Sequence, residues 1–242
     1  MPYLIALLAL FSTTAHAVTF TSPVEQVPTV ELFTSQGCSS CPPADRWLSR
    51  LVEHPDLWKK FVPMAFHVDY WDYIGWKDRF ADPRNSNRQR YYQQSGGIRS
   101  VYTPGFVVDG REWRGFFRGR MPEFKPGPKV GRLHLEWHND GHANVRFNPA
   151  RDNIPRKLEL RLAILGFGLN TPIGRGENAG KALREDFVVL GRHRQPIEVS
   201  AMKWQLPLPE TVKAQSKRRA LVAWLTESDS PAPIQAVGGW LP

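Results

Sequence analysis

Residues 34 to 43 read T-S-Q-G-C-S-S-C-P-P, and the fold expected for the chain depends on how that stretch is read. Before it, Thr29-Val30-Glu31-Leu32-Phe33-Thr34 is β-branched and apolar, as a buried strand requires. After it, Pro42 and Pro43 have φ preset for a first helical turn, where a missing N–H is no loss. Ala44, Trp47, Leu48, Leu51 and Val52 then recur at helical spacing until His54-Pro55 breaks the pattern. Cys38 and Cys41, the only 2 cysteines in 242 residues, therefore fall on a strand-to-helix turn.

Working outward, residues 61–68 form a second apolar run, and a strand–helix–strand order of this length implies two parallel strands joined by a right-handed crossover. Asp82 offers an N-cap with Pro83 at the first helical position, predicting a helix to about Ser95, with Arg84, Arg88 and Tyr91 along one face. Gly96-Gly97 stops it. Thr103-Pro104 leads into Phe106-Val107-Val108, and Asp109-Gly110 turns the chain into a return strand at Arg111-Glu112-Trp113. Gly119, Pro122 and Pro126 leave the next helix short or missing.

This order, with C-x-x-C at a helix start and T-P entering a hairpin, resembles the thioredoxin-like pattern. The blocks V-E-L-F-T-S-Q-G-C-S-S-C-P-P-A-D, H-V-D-Y-W-D-Y-I-G-W-K-D, V-Y-T-P-G-F-V-V-D-G and R-G-E-N-A-G-K-A-L are similar to those of the exported bacterial proteins of the DUF1223 family. The resemblance implies a cis peptide before Pro104, with Tyr102, Thr103 and Pro104 presenting backbone to a thiol substrate beside the dithiol.

From Val130 the pattern alternates: Leu133, Leu135 and Trp137 are interleaved with His134, Glu136 and His138, and Asn139-Asp140-Gly141 makes a turn. Further strand-like runs at 158–165, 187–190, 197–204 and 219–226 predict a β-rich, sandwich-like unit. Histidines spaced by four share a face only on a helix, so His134, His138 and His142 read as a solvated strand surface. Residues 174–181 lack phosphate-loop spacing and read as a turn packed on the other unit. The fold expected is an α/β thioredoxin-like domain at 27–126 followed by a β-rich domain at 128–242.

Thiols at i and i+3 on a helix start can close a small disulfide, and the upstream one faces the helix's free N–H groups. Cys38 is then the candidate nucleophile with a lowered pKa, and Cys41 resolves the mixed disulfide. An inert disulfide is the alternative, but closing so short a loop stabilises far less than the roughly 3 kcal/mol of a fifteen-residue loop. Glu31, inside the first strand, can relay the resolving thiol's proton or pair with an arginine. Residues 67–78 should emerge beside the dithiol, where Tyr70, Trp71, Tyr73 and Trp76 form either a substrate-binding wall or an aromatic mini-core. No cofactor is expected. The other reading is a Cu(I) or zinc site on Cys38 and Cys41 with His67, or Met64, as the further ligand.

Residues 4–11 are too short an apolar run to span a bilayer, and Ala15-His16-Ala17 has the form of a cleavage site. Residues 1–17 read as a signal peptide, and the protein as periplasmic or secreted. The net charge of +9 comes from scattered residues without any nucleic-acid-binding signature, so the expected partners are protein or small thiol substrates and a redox partner.

Overall fold

The computed structural model describes residues 17–150, 157–198 and 202–242. Apart from Ala17, the expected signal peptide lies outside them. The strands in chain order are β1 (Ala17–Thr21), β2 (Thr29–Thr34), β3 (Val62–His67), β4 (Gly105–Val108), β5 (Arg111–Glu112), β6 (Gly131–His138), β7 (His142–Pro149), β8 (Lys157–Phe167), β9 (Leu169–Pro172), β10 (Ala182–Glu185), β11 (Val188–Glu198), β12 (Lys203–Pro207), β13 (Arg218–Glu227) and β14 (Pro233–Trp240). Helix α1 (Pro42–Ser49) lies between β2 and β3, and α2 (Pro83–Gln94) between β3 and β4.

Local expectations around the dithiol hold. β2 pairs parallel with β3 from Thr29↔Val62 to Thr34↔His67, and β4 pairs antiparallel with β2 at Phe33↔Gly105. Asp82 caps α2 by accepting from the Arg84 N–H at 2.8 Å. Asp109 and Gly110 both take positive φ, which is the backbone a two-residue hairpin turn demands.

The expected division into an α/β thioredoxin-like domain and a separate β-rich domain is corrected by the sheet topology. One eight-stranded sheet runs β14-β13-β8-β11-β3-β2-β4-β5, so strands from both halves of the chain share a single hydrogen-bonded layer. The junction is β3 against β11, parallel, at Ala65↔Val188. Among the described residues strand far outweighs helix, and the two α-helices there have only 8 and 12 residues. β3 has one edge left after pairing with β2, and only complementarity with a strand more than a hundred residues away decides what fills it. Local patterning carries no signal for that pairing.

Register fixes what each face of the large sheet meets. On one face, Val30, Leu32 and Thr34 lie under α1, whose Trp47 sits edge-on to Phe106 at 5.1 Å. Farther along that face, Leu160, Leu162, Leu221 and Ala223 pack on Leu133, Leu135, Val145 and Phe147 of the four-stranded sheet β1-β6-β7-β12. The opposite face carries Glu31 and Phe33, which meet α2.

Candidate dithiol site

Cys38 and Cys41 form a disulfide on the turn between β2 and α1, with Cα atoms 5.4 Å apart. Both sulfurs belong to buried residues, while Ser39 and Ser40 between them are exposed. The expectation that α1 aims free amides at Cys38 needs amending. Pro42 and Pro43 have no N–H, and the N–H groups of Ala44 and Asp45 both donate to the Cys41 carbonyl, at 2.8 and 3.1 Å. The first turn of α1 therefore spends its donors on Cys41, and the polar neighbour left to Cys38 Sγ is Ser40 Oγ at 3.3 Å.

Segments from the far end of the chain clasp the turn. Asn178 Nδ2 donates to the carbonyls of Gln36 and Cys38, at 2.9 and 3.0 Å, and Glu177 Oε2 accepts from the Ser39 N–H at 3.1 Å. Residues 174–181 are thus a turn packed on the dithiol. A side chain at Gly37 would begin 3.2 Å from Trp71 Cβ and the Trp71 carbonyl, which accounts for glycine there.

The aromatic insertion ties three segments together. Trp71 Nε1–H donates to Thr103 Oγ1 at 2.7 Å, Trp76 Nε1–H to Gln36 Oε1 at 3.1 Å, and the Tyr70 hydroxyl to Gln89 Oε1 on α2 at 2.9 Å. Tyr70 and Trp71 pack partly buried against the main core, whereas Tyr73 is 81% exposed. The Thr103–Pro104 peptide is cis, and β4 pairing places Pro104 at the sheet edge where β2 leads into the dithiol turn. Tyr102 points its hydroxyl at Glu112 Oε1, 2.7 Å away, and its carbonyl accepts from Gln89.

Beneath the turn lies a buried polar layer. His67 Nδ1 is 2.6 Å from Asp78 Oδ2, and its Nε2 is 4.0 Å from Glu185 Oε1. Gln36 donates from its backbone N–H to Asp78 and from its side chain to Glu185, at 2.9 and 2.7 Å. Asp45, on α1, accepts from Thr34 Oγ1 at 2.8 Å. Burial raises Asp45 to about 6 against the pull of His67, and raises Glu185 to about 8. Burial opposes charge on His67, yet the Asp78 carboxylate and its hydrogen bond carry the imidazole up to about 9. Asp78 is lowered: burial disfavours its charge, but the His67 charge and several hydrogen bonds outweigh that.

Glu31 does not share this layer. Arg88 of α2 grips it with two hydrogen bonds of 2.7 Å, and the Tyr92 hydroxyl donates to it at 2.7 Å, all on the sheet face away from α1. His67 turns one ring nitrogen to Asp78 and the other towards Glu185. No group of three or more His, Cys, Asp or Glu side chains is arranged to hold a metal ion among the described residues. Sequence reading missed Asp45, Asp78, Asn178 and Glu185. The R-G-E-N-A-G-K-A-L block held a usable signal, since Glu177 and Asn178 stand in it.

The chain belongs to the DUF1223 family, a protein family of unknown function whose model matches residues 29–226. Protein AGR_C_4864 from Agrobacterium tumefaciens is similar in structure at 25% identity and a TM-score of 0.56, over 88% of this chain and 94% of that one. HBP35 of Porphyromonas gingivalis matches at 14% identity and a TM-score of 0.54, over 90% of this chain and 76% of that one, a likeness of fold alone. No curated protein matches the chain. No helix among the described residues is long and apolar enough to cross a membrane.

Proposed function

We propose that this chain is an exported thiol–disulfide oxidoreductase acting on protein or small thiol substrates in a periplasmic or secreted setting. The observation that carries the reading is the pairing of the only two cysteines within a four-residue turn, clasped from both halves of the chain and set on buried titratable groups. A disulfide kept for stability alone would close a longer loop.

In the reduced protein the Cys38 thiolate attacks a substrate disulfide and one substrate sulfur leaves as a thiolate, which takes up a proton. Cys41 then loses its proton and attacks Cys38 Sγ, expelling the second substrate sulfur. Two electrons pass from the dithiol to the substrate. Asp45 lies four residues after Cys41 on the same side of α1, and a carboxyl titrating near 6 suits it to accept the Cys41 proton. Ser40 supports the Cys38 thiolate through its hydroxyl. Thr103, Pro104 and Trp71 border the approach at the sheet edge.

Trapping with Cys41→Ala in the native envelope tests this reading. Covalent adducts at Cys38 that reductant releases are expected, and the reduced Cys38 thiol should titrate below the ordinary range, with Ser40→Ala shifting it upward. A Cys38 thiol that stays protonated into strongly alkaline buffer, with no adducts formed, defeats the reading.

A further inference from the structure

On the sheet face away from α1, arginines converge on a cavity of about 500 Å³. Arg84 and Arg88 reach it from α2, Arg161 from β8, and Arg192 and Arg194 from β11, with Trp224 of β13 beside them. The sheet register produces this gathering. Arg194 pairs with Arg161, and Arg161 pairs with Trp224, so the three lie side by side across adjacent strands. Like charges placed directly opposite each other are destabilising in a sheet, so their own packing gives no reason to keep them together.

Carboxylates of the protein neutralise only part of this charge. Glu31 is taken by Arg88, Glu159 is shared between Arg161 and Arg194, and Asp82 is held by Arg84. Arg192 makes no ion pair among the described residues. Several donors are left over: Arg88 Nη1, Arg161 Nε, Arg192 Nε and Trp224 Nε1 are buried and have no hydrogen-bond partner among the described residues. Arg88 and Arg161 are 4% and 7% exposed, and Trp224 is 1% exposed. Buried donors left unbonded are costly, and buried charges normally have partners. Burial and the charge of Arg88 push Arg192 down to about 9 and Arg161 to about 10. Guanidinium does not give up its proton in proteins, so both side chains stay charged against the cost of burial and the field of Arg88.

We propose that this cavity binds a small polyvalent oxyanion bearing phosphate or carboxylate groups. The planar guanidinium fork matches either group with paired hydrogen bonds, and a volume of this size admits more than one inorganic ion. The site is independent of the dithiol: it lies on the other side of the sheet and uses none of the same side chains.

Calorimetric titration of the full chain at constant ionic strength tests it, with pyrophosphate and citrate as separate probes. Saturable binding of one ion per chain is expected for at least one of them, and the tighter probe distinguishes phosphate from carboxylate chemistry. Arg192→Gln and Arg194→Gln should each weaken it about tenfold, the worth of one charge-assisted hydrogen bond. Arg192→Gln should also keep or raise the melting temperature of the unliganded protein, because it removes uncompensated charge, whereas a purely structural arginine would lower it. Arg118→Gln, an exposed control on another segment, should bind as the parent does. Failure of both probes to saturate overturns the proposal, as does an equal loss in Arg118→Gln, since attraction to overall positive charge then explains the binding.

Discussion

His67 and the backbone N–H of Gln36 share one oxygen of Asp78, His67 Nδ1 at 2.6 Å and Gln36 N at 2.9 Å. The carboxylate that keeps a buried imidazole charged is thus the one that fixes the backbone two residues before Cys38. Charge in the buried layer and the shape of the dithiol turn are coupled through a single atom.

This coupling predicts how stability varies with pH. His67 is raised from its usual 6.5 to about 9, so its contribution is complete below 6.5 and is lost as pH rises through about 9. Glu185, raised from 4.5 to about 8, acts in the same direction, because the fold resists its ionisation. Asp78 is lowered, so its contribution is lost as pH falls below the ordinary carboxylate range. The melting temperature of the oxidised protein should peak in mildly acidic buffer and fall between pH 6.5 and about 9. His67→Gln should start lower and show a flatter slope over that window. A wild-type melting temperature that holds or rises from pH 6.5 to 9 contradicts the assignment.

Arg88→Met leaves Glu31 buried and without its bidentate partner. Breaking such a pair costs about 3–5 kcal/mol, whereas replacing both partners by apolar side chains is often neutral. The single variant should melt on the order of 10 °C lower, and Arg88→Met with Glu31→Leu should recover much of the loss. Thermal unfolding of the three proteins decides it.

Asn178→Ala removes the donor that serves the carbonyls of Gln36 and Cys38. The expected cost is about 1–3 kcal/mol, as for buried acceptors left unpaired. Because the clasp holds the turn closed over buried sulfurs, the disulfide should also be reduced faster by dithiothreitol, followed by counting free thiols. An unchanged rate separates the clasp from the reactivity of the dithiol.

Asp45→Asn keeps an acceptor for Thr34 but removes the buried acid raised to about 6. Its carboxylate is ionised at neutral pH against the cost of burial, so the variant should be as stable as the parent, or more so, at pH 8. The rate of dithiol oxidation plotted against pH should lose the inflection near 6 expected of the parent. An identical profile in the variant excludes Asp45 as the proton acceptor for Cys41.

The residues around the dithiol could be read because their signals are local. A β-branched run, two prolines, an Asp cap and an Asp-Gly turn each bias the nearest φ and ψ, and β2, α1, α2 and the β4–β5 hairpin formed where those biases place them. The buried layer could not be read in the same way. Asp45, Asp78 and Glu185 are ordinary polar residues in the sequence, and burial and mutual field become visible only once α1, the insertion and β10 are folded together.

The sequence by itself determined where β2, β3, the β4–β5 hairpin, both helices and the dithiol turn lie, since those follow from side-chain shape and backbone preference over a few residues. The tertiary structure alone decided that β3 continues into β11, that Asn178 closes on Cys38, and that the five arginines meet. Each of these joins segments far apart in the chain, and such contacts depend on complementarity of whole edges and faces, for which no short stretch of sequence carries a code.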